Sequence, residues 1–228
     1  QFSVAGGDVL LNSGDVNVIA LRGAAHRQLW MNVREGTFTD PKIREAVALG
    51  IDRPALVDSV AKGTGDVGND QTIAAVSECF DSSLAQRERD VEKAKALLKE
   101  AGQEGLKITM HAPDLQEIPQ LAELIQSQLK DIGMEVTLNV EPTSTFYGQW
   151  CAVYDSEKEP TGCDGGQEFG IVDYGSRGVP DQYLVKAYAT GEWNSAHYNS
   201  SEFNDAVAAY QAALDLDGRK AAVKNIQA

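Results

Sequence analysis

The chain has 228 residues, of which 43% are hydrophobic and 24% are charged, a composition typical of folded globular proteins and outside the disordered range. This length allows one large α/β domain or two small ones. The 34 acidic residues outnumber the 20 basic ones and give a net charge of −14, a field that repels nucleic-acid backbones and anionic membrane surfaces. We therefore expect no nucleic-acid partner.

The two ends of the chain indicate a piece of a longer protein. The first residue is Gln1 rather than Met, and residues 223–228 have a helical pattern that stops without a cap. No basic-then-apolar leader opens the chain, but in a piece of a longer protein this absence says nothing about location.

The first part of the chain predicts two strands and then two helices. The strands are residues 17–21 and 28–33. Asp40 and Pro41 then predict a helix start, because an aspartate side chain accepts the first free N–H groups and proline suits the first helical position. A second start follows at residues 52–54, and the polar stretch from Gly63 to Arg89 predicts a long irregular connection.

The middle of the chain predicts a βαβ unit. Asp90 caps a helix of residues 91–101, and a strand of residues 106–111 follows. Residues 114–132 form an amphipathic helix pattern, and residues 134–140 a second strand. Because a helix joins these two strands, we expect them to be parallel.

The last third predicts mainly helices. A short helix spans residues 143–150, and an apolar strand ends at residues 169–172. Helices follow near residues 181–190, at 201–214 and from Asp217. The order of elements predicts an α/β fold with a mixed, mostly parallel sheet flanked by helices.

The three cysteines leave two interpretations open. Cys151 and Cys163 bracket an eleven-residue turn-rich stretch with the letters AVYDSEKEPTG. A disulfide closing this loop would contribute about 3 kcal/mol on the loop-entropy estimate. The alternative is three free thiols, including Cys79. No Cys-x-x-Cys spacing or Cys/His cluster indicates zinc.

Catalytic and metal-binding motifs are absent from the sequence. It contains no GxSxG elbow, no phosphate-binding GxxxxGK[ST] loop, no HExxH and no GxGxxG after a strand. His26, His111 and His197 lie in different predicted elements. We therefore expect no enzymatic activity, no resident metal and no cofactor.

Asp173 is the carboxylate that differs from the many on predicted helix faces. It directly follows the apolar residues 169–172, at the carboxyl end of a strand, where open α/β sheets place ligand contacts. Aromatic residues lie on both sides of it in the sequence: Phe146, Tyr147, Trp150, Tyr183 and Trp193. A carboxylate among aromatic rings suits an ammonium group. Local features leave open that Asp173 caps a turn and that the aromatics are core.

Several motifs follow one another in an order typical of a known family. They are Met31-Asn32, residues 38–48 (FTDPKIREAVA), residues 50–53 (GIDR), Asp90 to Leu98 with Ala101-Gly102, Ile125-Gln126 with Leu129-Lys130 and Ile132-Gly133, Trp193-Asn194 with Tyr198, and residues 201–205 (SEFND). Together they resemble the signature of family 5 extracellular solute-binding proteins, the receptors of peptide and nickel ABC importers. A single motif would be a weak signal, whereas their common order along nearly the whole chain is specific.

The resemblance implies an architecture and a role. Members of the family are two-lobed receptors with a periplasmic-binding-protein-like fold, and residues 1–228 resemble the second lobe alone, as a single domain without the first lobe. The implied role is to bind a peptide by hinge closure and to act with an ABC permease. It implies a monomer outside the cytoplasm, in the periplasm or as a cell-surface lipoprotein. Alternatives are a receptor for a metal chelate, an opine or an oligosaccharide, or a ligand-sensing domain in signalling.

The resemblance also implies site residues. Asp173-Tyr174 matches the pair in peptide-binding members whose aspartate holds the peptide's α-amino group. Phe146 resembles an aromatic residue of the same pocket, Trp150 follows it in the aromatic group, and Trp30 lies on the strand that enters the lobe. The loop after Tyr174 is longer than usual in the family and carries Arg177, which could neutralise Asp173 or bind a ligand carboxylate. Export favours a disulfide between Cys151 and Cys163.

Overall fold

The elements of the fold come from a computed structural model, which describes residues 4–11, 13–19, 21–150, 167–189 and 191–227. Within these residues the strands are β1 (His26–Met31), β2 (Lys107–Asp114), β3 (Glu135–Pro142) and β4 (Phe169–Tyr174). The helices are α1 (Val4–Leu11), α2 (Pro41–Gly50), α3 (Arg53–Ala61), α4 (Val91–Glu100), α5 (Ile118–Asp131), α6 (Thr143–Trp150), α7 (Asp181–Tyr183), α8 (Ser201–Ala212) and α9 (Leu216–Gln227). A π-helical turn, Leu184–Tyr188, continues α7. None of the described helices has the length and apolarity needed to cross a membrane.

The four strands form one mixed sheet in the order β1-β4-β2-β3. The predicted βαβ unit is confirmed: β2 and β3 are joined by α5 and run parallel, with Lys107 opposite Glu135 and Asp114 opposite Pro142. Strand β4 is parallel to β2, and β1 is antiparallel to β4. The ends of β2, β3 and β4 therefore meet at the same side of the sheet as the start of β1, and this side is called the carboxyl edge below.

Three helices begin where the sequence predicts, each at an aspartate. The side chain of Asp40 accepts a hydrogen bond from the backbone N–H of Lys42 at 2.8 Å, and that of Asp52 from Ala55 at 3.0 Å. Asp90 caps α4 in the same way. Each cap contributes about 1 kcal/mol. These starts are local because donor and acceptor lie two or three residues apart.

Helices and sheet enclose three apolar clusters. The largest lies between the sheet and α2, α4 and α5, with β4 contributing Phe169 and Ile171. An aromatic cluster covers the other face of β1 and β4, and contains Trp30, Phe146, Trp150, Val172, Tyr174 and Tyr183. A third cluster joins α8 and α9 to residues of the 63–89 connection. Because successive residues of a strand point to opposite faces, β1 and β4 are covered on both sides.

The long connection from Gly63 to Arg89 has no regular element, as predicted. Nη2 of Arg53 donates to both carboxylate oxygens of Asp70, at 2.8 and 2.7 Å. These bonds hold the first part of the connection against α3. Ile73 and Cys79 are buried against α8 and α9, and the Cys79 thiol donates to the hydroxyl of Tyr210 at 3.7 Å. The connection therefore covers the pair of C-terminal helices.

The predicted strand at residues 17–21 is wrong for the residues that the structure describes there. Residues 17–19 and 21 form no strand, and Val18, Ile19 and Leu21 are 52%, 80% and 88% exposed. The apolar letters suit a strand, but a strand also needs a partner with which to exchange hydrogen bonds. The only strand that β1 pairs with among the described residues is β4.

Three predicted element bounds also shift. The second strand begins at His26 rather than at residue 28. Strand β2 continues to Asp114 and α5 begins only at Ile118, because the turn between them contains Gln116 in a left-handed conformation with φ 52°. The helix predicted at 181–190 is the short α7 and its π-helical turn.

The predicted disulfide concerns Cys151 and Cys163, which lie outside the described residues. The disulfide therefore stays a prediction.

His26, at the start of β1, is a neutral base within the aromatic cluster. Its Nδ1 lies 3.0 Å from the carbonyl oxygen of Ala24, so Nδ1 carries the proton. Its Nε2 therefore accepts from the hydroxyl of Tyr188 at 2.9 Å. Burial is the main cause that lowers the pKa of His26 below its ordinary value of 6.5.

This environment predicts a loss of stability in mild acid. Below pH 6.5, the unfolded chain binds a proton at His26 that the folded chain does not, so the free energy of unfolding falls as the pH falls and levels off below the folded-state pKa. We expect urea denaturation between pH 5 and 7.5 to show a smaller pH dependence for His26→Gln than for the unmodified protein. The same pH dependence in both would contradict this.

Candidate ligand-binding site

Asp173 lies at the carboxyl edge, one residue before the end of β4. Its side chain is partly exposed and points to the same face as Ile171. Its Oδ1 accepts a short hydrogen bond from the hydroxyl of Tyr147 on α6. Its nearest neighbour across the strands is Arg27, which pairs with it in the antiparallel register of β1 and β4. The role of Asp173 as a ligand contact stays a prediction.

Tyr147 is the aromatic residue that orients Asp173. Its ring makes edge contacts with Phe146 and Trp150, with centroids 5.1 and 5.7 Å apart. Burial and the contact with Asp173 raise its pKa above the ordinary value, so the hydroxyl stays protonated and donates. Phe146 is fully buried and Trp150 is 8% exposed. These two predicted site residues therefore pack against the ring of Tyr147. Their role as ligand contacts stays a prediction.

Trp30 and Tyr174 lie on the opposite face of the sheet from Asp173. They are 2% and 5% exposed and belong to the aromatic cluster. The Tyr174 hydroxyl donates to the carbonyl oxygen of Trp193 at 3.2 Å. Neighbours in a strand point in opposite directions, so Asp173 and Tyr174 do not line one surface. The roles of Tyr174 and Trp30 as ligand contacts stay predictions.

Arg177 lies in the exposed loop after β4. Its guanidinium donates to the carbonyl oxygens of Gly175 and Ser176, and lies 5.9 Å from the ring centroid of Trp193. Among the residues that the structure describes, it forms no ion pair with Asp173, so the expectation that it neutralises Asp173 is wrong for this structure. Its alternative role, binding a ligand carboxylate, stays a prediction.

Arg27 is a site residue that sequence reasoning missed. Its Nη2 donates to Oε1 of Gln116 at 2.7 Å and forms an ion pair with Oε1 of Glu117 at 2.8 Å. The side chains of Arg27 and Glu117 are 21% and 19% exposed. The sequence gives no local signal for this role, because Arg27 lies between the polar residues His26 and Gln28, before the strand predicted at residues 28–33. Its role follows only from the pairing of β1 with β4.

The charges of three neighbouring side chains, Arg27, Glu117 and Asp173, sum to one negative charge. Arg27 contributes +1, and Glu117 and Asp173 contribute −1 each. His26, next to Arg27, is neutral at pH 7 because burial lowers its pKa below the ordinary value of 6.5. Within the described parts of the chain, no group of three or more His, Cys, Asp or Glu side chains could hold a metal ion. The arrangement therefore suits one organic cation.

The comparison with protein families agrees with the order of the sequence motifs. The family model described as "Bacterial extracellular solute-binding proteins, family 5 Middle" matches residues 7–161. The chain belongs to this family. The resemblance predicted from the motifs is thus confirmed, and the members of the family are binding proteins that act outside the cytoplasm.

The curated relatives include a glutathione-binding protein and a dipeptide-binding protein. The chain is 26% identical over 212 residues to the glutathione-binding protein GsiB of Shigella flexneri. The aligned region covers 88% of this chain and 39% of the relative. The chain therefore spans about two fifths of that relative's length.

Solved structures of the family show the same fold. A dipeptide-binding protein from Pseudoalteromonas sp. SM9913 in complex with Met-Leu has a TM-score of 0.83 at 23% identity, over 99% of this chain and 44% of that one. NikA from Staphylococcus aureus in complex with Ni(L-His)2 has a TM-score of 0.81 at 20% identity, over 99% of this chain and 46% of that one. The predicted periplasmic-binding-protein-like α/β fold with a mixed sheet is confirmed.

Proposed function

We propose that this chain is the second, ligand-binding lobe of an extracytoplasmic receptor for an ABC importer, and that the receptor binds peptides through their N-terminal ammonium group. The observation that carries this proposal is the partly exposed carboxylate of Asp173 at the carboxyl edge, oriented by Tyr147 and next to an Arg27–Glu117 ion pair that has no net charge of its own. A charge-assisted hydrogen bond to an ammonium ion satisfies both the charge and the free acceptor positions.

The relatives support a peptide among the solutes of this family. The names of two similar proteins state that one binds glutathione and that another was solved with Met-Leu. Both ligands carry an ammonium group. The N-terminus of Met-Leu presents this ammonium beside a neutral amide, which matches the carboxylate of Asp173, whereas in glutathione the ammonium lies beside a free carboxylate.

The proposal includes the rest of the receptor. In this proposal the chain is a single domain that spans 44% of a similar structure, and a first lobe would supply the other wall of the site. Hinge closure of two lobes removes the ligand from water and strengthens each polar contact. The receptor would act as a monomer with a membrane permease, in the periplasm or as a lipoprotein, and this role needs no catalytic step.

A metal-chelate receptor is the second candidate. It is favoured by the similarity to the structure solved with Ni(L-His)2, with a TM-score of 0.81. A nickel–histidine chelate differs from a peptide because its amino groups are bound to the metal and are not protonated. The two candidates therefore differ in whether a free ammonium group is needed.

Acetylation of the ligand tests the proposal. Isothermal titration calorimetry would compare Met-Leu, Ala-Ala and glutathione with their N-acetylated forms, and with Ni²⁺ plus L-histidine, on the full-length gene product. We expect at least one free-amine peptide to bind and its acetylated form to bind about 30-fold more weakly or worse, as for truncation of a closed charge pair. Equal binding of both forms, or binding of the chelate without any peptide, would overturn the proposal.

A further inference from the structure

We infer that Glu117 determines the charge selectivity of this site: by holding Arg27 in an ion pair, it leaves the carboxylate of Asp173 for the ligand's ammonium. The inference rests on the proposed function and adds a specificity-determining residue to it. Glu117 acts through Arg27 and is therefore a positioning residue. It precedes Asp173 in the chain by α5, β3 and α6, and no motif of the chain indicates it.

The first step concerns the competition for Asp173. Arg27 and Asp173 are directly opposite each other in the antiparallel pair β1–β4. Side chains at such positions have Cβ atoms about 5 Å apart, and opposite charges placed there attract each other. Unless another group held it, the Arg27 guanidinium would pair with Asp173 and cancel the charge that a ligand ammonium requires.

The second step is that the turn between β2 and α5 holds Arg27. Two consecutive residues of this turn contact Nη2 of Arg27: Gln116 accepts a hydrogen bond from it, and Glu117 forms an ion pair with it. Gln116 has a φ of 52°, a left-handed conformation that is disfavoured for a residue with a side chain. Strained conformations of this kind cluster at functional sites. The turn thus adopts a locally unfavourable shape in which its two side chains reach the same guanidinium nitrogen.

The third step concerns the alternative role of Glu117. It precedes the first residue of α5, a position from which side chains commonly accept hydrogen bonds from the helix N–H groups. The Glu117 side chain makes no such capping bond, and its Oε1 lies 2.8 Å from Nη2 of Arg27 instead. With both side chains about four fifths buried, the pair is largely shielded from water. Removal of one partner would leave the other charge without compensation.

The consequence is a preference for one kind of ligand end group. With Arg27 occupied by Glu117, the remaining charge is that of Asp173, which suits an ammonium group beside a neutral amide. If Glu117 were neutral, the pair Arg27–Asp173 would have no net charge, and the site would lose its attraction for a cation. Glu117 therefore controls the sign of the charge that the site accepts.

A double-mutant cycle tests this inference with Met-Leu and N-acetyl-Met-Leu as probes on the full-length gene product. We expect Glu117→Gln to weaken Met-Leu binding about tenfold or more, because a lost charge-assisted contact of about 1.4 kcal/mol is tenfold in affinity. The double variant Arg27→Met/Glu117→Gln should return to within about threefold of the unmodified protein, since Asp173 is again uncompensated. Arg27→Met alone should bind Met-Leu at least as tightly as the unmodified protein.

The matched control is Glu135→Gln. Glu135 at the start of β3 pairs with Lys107 at the start of β2, at 2.9 Å. This pair lies at the end of the sheet opposite the carboxyl edge, and both side chains are more than 60% exposed. Its loss should leave the affinity for Met-Leu unchanged. Circular dichroism of each variant checks that it is folded, and if Glu117→Gln does not fold, Arg27→Met and the double variant carry the test.

The outcomes separate the inference from the proposed function. Weak binding by Asp173→Asn together with unchanged binding by Glu117→Gln would overturn the inference and leave the proposed function standing. The inference would also be overturned if the double variant bound Met-Leu as weakly as Glu117→Gln does, or if Arg27→Met bound Met-Leu more weakly than the unmodified protein. A purely structural role of Glu117 would not be rescued by removing the Arg27 charge as well. Unchanged binding by Asp173→Asn would overturn the proposed function and the inference with it.

Discussion

Asp173→Asn is expected to weaken the binding of a free-amine peptide to the full-length gene product by about 30-fold or more. Asparagine keeps the shape of the side chain and an oxygen that can accept from Tyr147, so the local packing is preserved. What is lost is the negative charge opposite the ammonium, in a site that the proposed closure of the receptor would shield from water. Isothermal titration calorimetry at a fixed ionic strength measures the change.

The control for this experiment distinguishes a direct contact between Asp173 and the ligand from a general effect of negative charge on the affinity. Asp114 is an exposed carboxylate at the end of β2, on the same carboxyl edge. Asp114→Asn removes the same charge from the molecule and is expected to change the affinity less than about threefold, since exposed charges are screened by salt. The N-acetylated peptide should bind Asp173→Asn and the unmodified protein with similar affinity. Equal losses in Asp173→Asn and Asp114→Asn would contradict a direct contact.

Gly170→Ala is expected to lower the free energy of unfolding by about 3 kcal/mol, at the upper end of the usual cost of overpacking. Gly170 lies in β4, between β1 and β2, and is opposite Trp30. A Cβ atom there would lie 2.5 Å from the carbonyl oxygen of His111 and 3.0 Å from Cζ2 of Trp30. The oxygen belongs to the backbone of β2, so relief requires the two strands to separate. Urea denaturation followed by tryptophan fluorescence measures this change.

The same substitution at another glycine provides the control. Gly148 lies within α6, and a Cβ atom there would meet nothing within 4 Å. Gly148→Ala is expected to stabilise the protein by about 0.5–1 kcal/mol, because alanine loses less backbone entropy in a helix. If both variants unfolded at the same urea concentration as the unmodified protein, the close approach of β2 and β4 at Gly170 would not be a constraint on the fold.

The sequence predicts best the elements whose signals are local. Asp40, Asp52 and Asp90 each cap a helix through a backbone N–H two or three residues away. The prediction is wrong at residues 17–21, where the apolar pattern suits a strand but no described strand lies beside it. A strand is completed by a partner elsewhere in the chain, and one short apolar run does not say whether that partner is present.

For the site, the sequence indicates Asp173, because a carboxylate directly after an apolar strand lies at the edge where ligands bind. It does not indicate which aromatic residue reaches that carboxylate. Phe146, Tyr147 and Trp150 lie within one helix, and only its orientation against β4 decides that Tyr147 contacts Asp173, 26 positions away. The alternation of the strand likewise separates Tyr174 from Asp173.

The sequence by itself determined the family, the α/β class, the βαβ unit and the position of Asp173. These depend on residues close in the chain or on the order of motifs along it. Only the tertiary structure decided that Arg27 lies opposite Asp173 and is held by Gln116, 89 positions away, and by its neighbour Glu117. The physical reason is that the charge of a site is a sum over groups brought together by strand pairing, and that sum cannot be formed until the pairing is known.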